Sequence, residues 1–527
     1  MEKIVELKIL PDQIDDLTYI ASRVRKKSRT KDHHKLYWRI IRRSIDARQR
    51  QAFYLLRIEY KIGEDFSAAT TILSTFSSVT SAPVVHIIGA GPAGYFAALE
   101  LIQLGYKPII IERGKDVRAR RRDLKAIQQE GIVNPDSNYC FGEGGAGTYS
   151  DGKLYTRSQK RGNIEKVLKL LIEHGAKEDI LIDAHPHIGS NKLPGIIQSI
   201  RETIENYGGE IHFGSKLVDI QLDEGKITSI ILADGKTIQV DTLVLATGHS
   251  ARDIFYLLDK NEIEIKAKDF AIGVRIEHPQ PLVDLIQYGQ EQRELNLPAA
   301  SYKLTTQVDD LGVFSFCMCP GGLVVPAATA PGEIVVNGMS LSRRDSPYAN
   351  SGFVTSISCE ELEVHGFTGT FKSLDFQKEV EQKVFSAGDG SQAAPAQRLT
   401  DFLARKSSSA LNPSSYIPGL FPADLHEILP EFVVKRLIRG LRQIGLKVPA
   451  YITHKANIIA VESRTSSPIK IPRNRATCLH PQVANLYPCG EGAGYAGGIL
   501  SACMDGQRIA KAILENHQEH VKLNHED

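Results

Sequence analysis

The sequence predicts an α/β protein: a doubly wound, mostly parallel nucleotide-binding sheet, interrupted by an α+β domain and preceded by a small α+β module. Three observations predict it. A short apolar run, Val84 to Ile88, opens into the turn GAGPAG, and a second run, Pro108 to Ile111, ends on the acid Glu112. Strand-like stretches separated by turn residues fill positions 209 to 245 and end in VLATGH. A further strand, glycine turn and helix return at Asn485 to Leu514. Pieces of one sheet at such separated positions require an insertion between them.

At the N-terminus, residues 1–65 read as a basic α+β module. An alternating strand near Ile4 to Leu10, a helix after Pro11 and strand-like runs at Trp38 to Ile45 and Phe53 to Ile62 give the order of a ferredoxin-like half. Arg23 to Arg50 holds twelve Lys or Arg against two acids, Asp32 and Asp46, with Tyr37 and Trp38 among them. Such a run is either a solvated face or a surface for a polyanion such as RNA. Residues 66–82, rich in Ser, Thr and Ala, read as a linker.

The nucleotide-binding domain is expected in three pieces, 83–160, 205–265 and 455–520, with a substrate domain at 266–454. Its first strand, VVHII, is a continuous apolar run suited to burial on both faces. Gly89, Gly91 and Gly94 supply a tight turn, close approach to a pyrophosphate and close helix packing. Glu112 then stands where a carboxylate accepts hydrogen bonds from an adenosine ribose and repels a 2'-phosphate. This disfavours NADP at the site and leaves open which other dinucleotide it holds.

The loop FGEGGAGTYSDG, Phe141 to Gly152, follows, and its Gly144 and Gly145 allow backbone to approach a cofactor. The stretches Gly209 to Ile220, Lys226 to Leu232 and Thr237 to Leu245 read as a meander that rejoins the sheet at Thr247 and Gly248. In the substrate domain, strands are expected at Phe270 to Ile276, Val313 to Met318 and Ile334 to Met339, and helices at Phe376 to Ser386 and Phe432 to Ile444. SSSALNPSS, Ser407 to Ser415, reads as a mobile loop. The last glycine segment carries Gly490, Glu491, Gly497 and Gly498 ahead of a helix at Ile499 to Leu514. NAD is usually held by one contiguous unit, whereas FAD needs its AMP end, middle and flavin end held by separate segments. This chain has three such segments.

The order GxGxxG to acid, strand ending in ATG, and C-terminal GE turn resembles FAD proteins of the glutathione-reductase type. The blocks FGEGGAGTYSDGKL, ATGHSARD, FAIGVRIEH, FSFCMCPGG, VESRTSSP and GEGAGYAGG resemble, more closely, a bacterial group of FAD-dependent dehydrogenases, as does RRSIDAR at Arg42 to Arg48. The resemblance implies that Gly89, Gly91, Gly94, Glu112 and Arg113 hold the ADP part and that Leu217 meets adenine through its backbone. It further implies that Thr247 and Gly248 lie near the pyrophosphate, and that Glu491 serves the ribityl end. No second strand-GxGxxG-helix unit is present, so the electron partner is undefined and NADH or NADPH would bind only transiently.

Candidate catalytic residues are few. Cys317 and Cys319, one residue apart, would face the same side of a strand as a redox pair or nucleophile, or else be core residues. Arg464 would clamp a substrate carboxylate or phosphate, or close an internal salt bridge. His185 and His187 would be acid and base, or structural in their turn.

Composition narrows the class. A hydrophobic content of 42%, 24% charged residues and a net charge of +2 suit a globular enzyme with no global pull toward nucleic acid or membrane. Seven cysteines without paired spacing, no zinc pattern, no signal-peptide core and no long apolar run suggest a cytoplasmic protein without a metal. The expected activity is hydride transfer between flavin and a small molecule. Its alternatives are an RNA-acting flavoenzyme and a redox-sensing FAD protein.

Overall fold

The computed structural model describes residues 3–49, 51–67, 70–155 and 162–526. Arg50 of the basic run, residues 68–69 of the expected linker and residues 156–160 of the first nucleotide-binding piece lie outside them.

A five-stranded parallel sheet forms the centre, in the order Leu486–Pro488, Leu243–Leu245, Val84–Ile88, Lys107–Ile111, Glu210–His212. Its strands are short apolar runs buried on both faces, as a sheet covered on both sides requires. Helix Pro92–Gln103 is apolar nearly all round because it is enclosed, and it packs against the long helix Ile499–Glu526. Their contact depends on one small residue: a Cβ on Gly506 would stand 2.1 Å from the Ala93 carbonyl oxygen. The C-terminal helix continues well past the expected end at Leu514.

The expected meander divides. Glu210–His212 joins the parallel sheet, while Leu217–Asp223, Lys226–Leu232 and Thr237–Gln239 make a separate antiparallel sheet. The turn at Gly214, φ +65°, splits the first stretch, and its N–H donates to the Gly114 carbonyl. Alternating polarity looks the same in both sheets, so it could not mark this break.

The insertion builds a seven-stranded sheet in the order Thr305–Val308, Leu311–Cys319, Tyr348–Ile357, Phe270–Pro279, Asn457–Glu462, Ala394–Arg398, Leu420–Pro422. Helices Lys372–Ser386 and Glu431–Lys447 accompany it. Asn457–Glu462 pairs inside this sheet, so the chain returns to the nucleotide sheet only at Leu486, later than the expected boundary at 455. Ser407 to Ser415 is tied down rather than free: Ser408 donates to Asp401, Asn412 bonds with Asn457, and Ser415 donates to Glu277.

The N-terminal module is an antiparallel sheet with Phe53–Ile62 between Lys3–Ile9 and Leu36–Asp46, and helix Leu17–Ser28 beside it. Val5, Leu7, Ile9, Leu56 and Ile58 pack with Ile20 and Val24, and this core is continuous with that of the seven-stranded sheet. Tyr54 donates its hydroxyl to the Asn296 carbonyl at 2.6 Å, and Asn296 donates back to the Pro11 carbonyl at 3.0 Å. The expected linker is also anchored, since the Ile72 and Leu73 N–H groups reach the Glu173 carboxylate and Phe76 and Val79 are buried. No helix among the described residues is long and apolar enough to cross a membrane.

Candidate functional site

The parallel sheet brings its strand exits to one edge, where open α/β sheets bind ligands. Ile88 runs into Gly89, Ile111 into Glu112, Leu245 into Thr247 by way of Ala246, and Pro488 into Gly490 by way of Cys489. Backbone bonds lock these exits together: Gly89 N–H donates to Ile111 at 2.9 Å, Ala246 to Ile88 at 2.8 Å and Cys489 to Leu245 at 2.9 Å. Side chains are excluded here. A Cβ on Gly89, φ +106°, would lie 2.4 Å from the Ala246 carbonyl oxygen, and one on Gly94 would lie 2.0 Å from that of Gly89.

Glu112 is buried and holds three backbone N–H groups. Ala90 donates to Oε2 at 2.8 Å, while Gly114 and Gly142 donate to Oε1 at 2.8 and 3.0 Å. A carboxylate offers about four acceptor sites, so one is left for a ribose hydroxyl. Arg113 turns toward Asp253 at 2.8 Å and lies over the Phe141 ring. Leu217 is buried, and the nearby Ser215 N–H donates to the Glu112 carbonyl at 2.9 Å, which brings the start of that strand beside the acid.

The loop 142–147 packs on the glycine turn. Gly144 N–H donates to the Ala90 carbonyl at 2.8 Å, and a Cβ on Gly145 would come within 3.2 Å of the Gly91 Cα. Arg120, 0% exposed, holds the loop by donating to the carbonyls of Asn138, Glu143 and Gly145 at 2.8, 2.8 and 2.9 Å. Glu143 accepts from Tyr95, Val117 N–H and Arg201. Arg120 carries no motif in the sequence and was not foreseen.

The C-terminal turn has its own anchor. Gly490 N–H donates to Asp505 at 2.7 Å, and Arg473 joins Asp505 to the Pro488 carbonyl. These two residues also escaped the sequence reading, being distant from the glycine motif or inside a helix. Gly492 packs on Gly248, where a Cβ would meet the carbonyl oxygen at 2.5 Å. Gly497 and Gly498 are exposed, with open space where a side chain would be, immediately before the long helix.

Glu491 is half-buried, and its carboxylate has no hydrogen-bond partner among the described residues. Burial pushes its pKa up to about 7, against the pull of Lys268. Next to the half-buried Thr247 and Gly248, His249 is driven down to about 4 by burial and by the Arg464 charge, so it is neutral at pH 7.

Cys317 and Cys319 do not share a face. A register shift between Phe316 and Cys319 puts Cys317 at φ +45°, exposed, while Cys319 is buried. The Cys317 carbonyl accepts from Arg275 at 2.8 Å and from the Cys319 thiol at 3.3 Å. Surrounding protein raises both thiols, Cys319 to about 12, and the Cys317 side chain is exposed. The far end of the glycine loop arrives here: Lys153 donates to the Met318 carbonyl, and Asp151 pairs with Arg344 and Ser340. His187 bridges to Lys153, and burial and Arg344 lower its pKa to about 4. His185 is exposed, with its ring 5.3 Å from that of Tyr155.

Arg464 sits in a buried ionic quartet. It donates to Glu381 at 2.9 and 3.1 Å, to Glu333 at 3.1 Å and to Thr329, while Arg252 pairs with both acids from the other side. Four of the five N–H groups of Arg464 have protein acceptors, which makes this the internal salt bridge rather than a free clamp for a substrate. All seven cysteines are free, and no cluster of metal-ligating residues occurs among the described residues.

Residues 269–465 match a family described as FAD-dependent protein, C-terminal domain-like, and residues 1–61 match a domain of unknown function. A Clostridium beijerinckii protein, named only as uncharacterized, is 40% identical over 522 residues, covering 95% of this chain and 96% of that one. This chain belongs to that protein's family. FAD is its cofactor. The mitochondrial dihydrolipoyl dehydrogenase of Rattus norvegicus is 26% identical over 189 residues, 34% of this chain and 35% of that one. Among solved structures, the glycine oxidase of Bacillus cereus aligns over 83% of this chain and 96% of its own, at 12% identity and a TM-score of 0.30. CtdE in complex with FAD aligns over 82% of each, at 11% identity and a TM-score of 0.33.

The residues of this FAD-dependent protein fit the group. The glycine turn is closed to side chains, Glu112 retains an acceptor, Glu491 is an unclaimed carboxylate, and Gly497 and Gly498 leave open space before a helix N-terminus.

Proposed function

We propose that the protein is a cytoplasmic FAD-dependent oxidoreductase of glutathione-reductase-type architecture, passing a hydride between flavin N5 and a small-molecule substrate. One observation carries this reading. The glycine loop packs on Gly91 through Gly145 at one end and meets the Cys317 bulge through Lys153 at the other, so a single segment links the dinucleotide turn to an exposed thiol. Bound FAD supplies a two-electron acceptor and donor.

The chain holds and orients it. Gly89, Gly91, Gly94 and Glu112 would take the ADP part, Thr247 and Gly248 the pyrophosphate, and Glu491 the ribityl hydroxyls. The N-terminus of helix Ile499–Glu526 would supply positive potential that favours an anionic reduced flavin. At that bulge, Lys153 provides a cation, and Cys317 stays a protonated thiol near neutral pH because its pKa is raised. His187 is held neutral at the same pH, because burial and the Arg344 charge lower its pKa to about 4.

The test is anaerobic. Yellow, FAD-loaded protein is mixed in turn with NADH, NADPH and a panel of reduced metabolites while the flavin absorbance is followed. Bleaching by one donor, and its reversal by an acceptor, is expected. A flavin that no donor reduces would remove the catalytic reading and leave a redox-sensing or structural one.

A further inference from the structure

The N-terminal sheet has a second face that the fold leaves uncovered. Val5, Leu7, Leu56 and Ile58 point to the core, so alternation along each strand sends Arg39, Arg57 and Lys8 to the opposite, exposed side. A bulge between Ile40 and Arg42 brings Arg42 to the same side, directly opposite Arg57. Neither guanidinium has a hydrogen-bond or ion-pair partner among the described residues. Glu6 stands opposite Arg57 on its other flank and Glu59 pairs with Arg39, so the unrelieved like-charge pair is Arg42 beside Arg57, and an anion bound between these two would relieve it.

Aromatic rings are interleaved with these cations. Phe66 lies under both Arg39 and Lys61, 4.4 and 5.1 Å from its centroid, and Phe53 lies under Lys8 at 3.8 Å. Between these two rings run Arg42 and Arg57. Phosphates need the cations and unstacked bases need the rings, and a polymer that alternates the two is a single-stranded nucleic acid. An anionic bilayer would draw on the same cations and is distinguished by vesicle binding, while an acidic peptide offers few planar groups to stack.

We infer that this face binds single-stranded nucleic acid. The inference is independent of the flavin chemistry, since none of these residues belongs to the dinucleotide edge or the Cys317 bulge.

The experiment uses full-length, FAD-loaded protein and fluorescence anisotropy with labelled oligo(U) and oligo(dT), a duplex of equal length, and phosphatidylserine vesicles in sedimentation. Saturable, salt-sensitive binding of the single strands in preference to the duplex is expected. The two oligomers report whether the sugar matters. The R42A/R57A variant should lower the slope of log affinity against log salt by about 1.4, because each single-strand phosphate contact contributes about 0.7. Phe66→Ala should weaken binding about tenfold at unchanged slope, as loss of one stacked base does. R42Q/R57Q keeps more of each side chain and serves if the alanine variant fails to fold, with flavin absorbance and circular dichroism as controls. Absence of oligomer binding at low salt, unchanged affinity in the arginine variants, or binding to vesicles alone would overturn the inference.

Discussion

Glu112 and Ala90 are joined by a 2.8 Å hydrogen bond from the Ala90 N–H to Oε2, which fixes the glycine turn against the end of the neighbouring strand. The same carboxylate holds Gly114 and Gly142, so the acid builds the cofactor cradle before it meets any ribose. Glu112→Ala would strand three N–H groups, each costing about 1–3 kcal/mol when left unpaired. The protein is expected to melt earlier and to purify without yellow colour. Glu112→Gln should also fail, because its amide NH2 would face backbone donors. Full flavin content in either variant would show that the clamp is dispensable.

Arg120 makes the matching prediction for the loop. Arg120→Met keeps much of the volume but leaves three carbonyls without their donors, at about 1 kcal/mol or more apiece. Loss of FAD with a lowered Tm is expected, and Arg120→Lys should recover little, since an ammonium cannot copy the three-way fork. Absorbance and thermal melts of the two variants check this.

Arg464→Ala is expected to lower stability by about 3–5 kcal/mol, the cost of leaving buried charges unpaired. Glu381→Ala should do the same from the other side, as it strands both Arg464 and Arg252. Once a substrate is known, an Arg464→Ala variant with unchanged Tm and a raised KM would instead make this arginine a substrate anchor.

Glu491 predicts a pH signature in protein stripped of FAD. Its folded pKa, about 7, lies above the unfolded carboxylate value of 4.5, so between these limits the folded state holds more protons than the unfolded one. Its contribution is therefore intact below pH 4.5 and declines as pH rises to about 7. Glu491→Gln should match the native protein at low pH and exceed its Tm at pH 8. His249 works in the opposite sense, since its pKa near 4 against 6.5 unfolded makes stability fall as pH drops through that window. His249→Asn should flatten that acid limb. Melting curves across pH 4–8 separate the two effects.

The central sheet was legible because buried parallel strands are unbroken apolar runs and the turns between them are glycines at defined spacing. Gly89, Gly91, Gly94 and Glu112 could be picked out on that basis, as could the first N-terminal strand, Lys3–Ile9, with its alternation. The Cys317–Cys319 reading did not survive, because a bulge is a one-residue change of register with no marker in the local pattern. The split at Gly214 and the late return at Leu486 were hidden for a related reason: an apolar strand does not state which sheet it joins.

What the sequence determined by itself was the FAD reading, from a dinucleotide turn and acid a few tens of positions apart and from two further glycine segments recognisable by their own local pattern. Only the tertiary structure decided what holds them in place. Arg120 acts through carbonyls on a separate loop, Asp505 reaches back to Gly490, and Arg464 meets Glu333 and Glu381 across the insertion. Buried charges take their partners from whichever segments the fold brings near, and linear spacing carries no record of that choice.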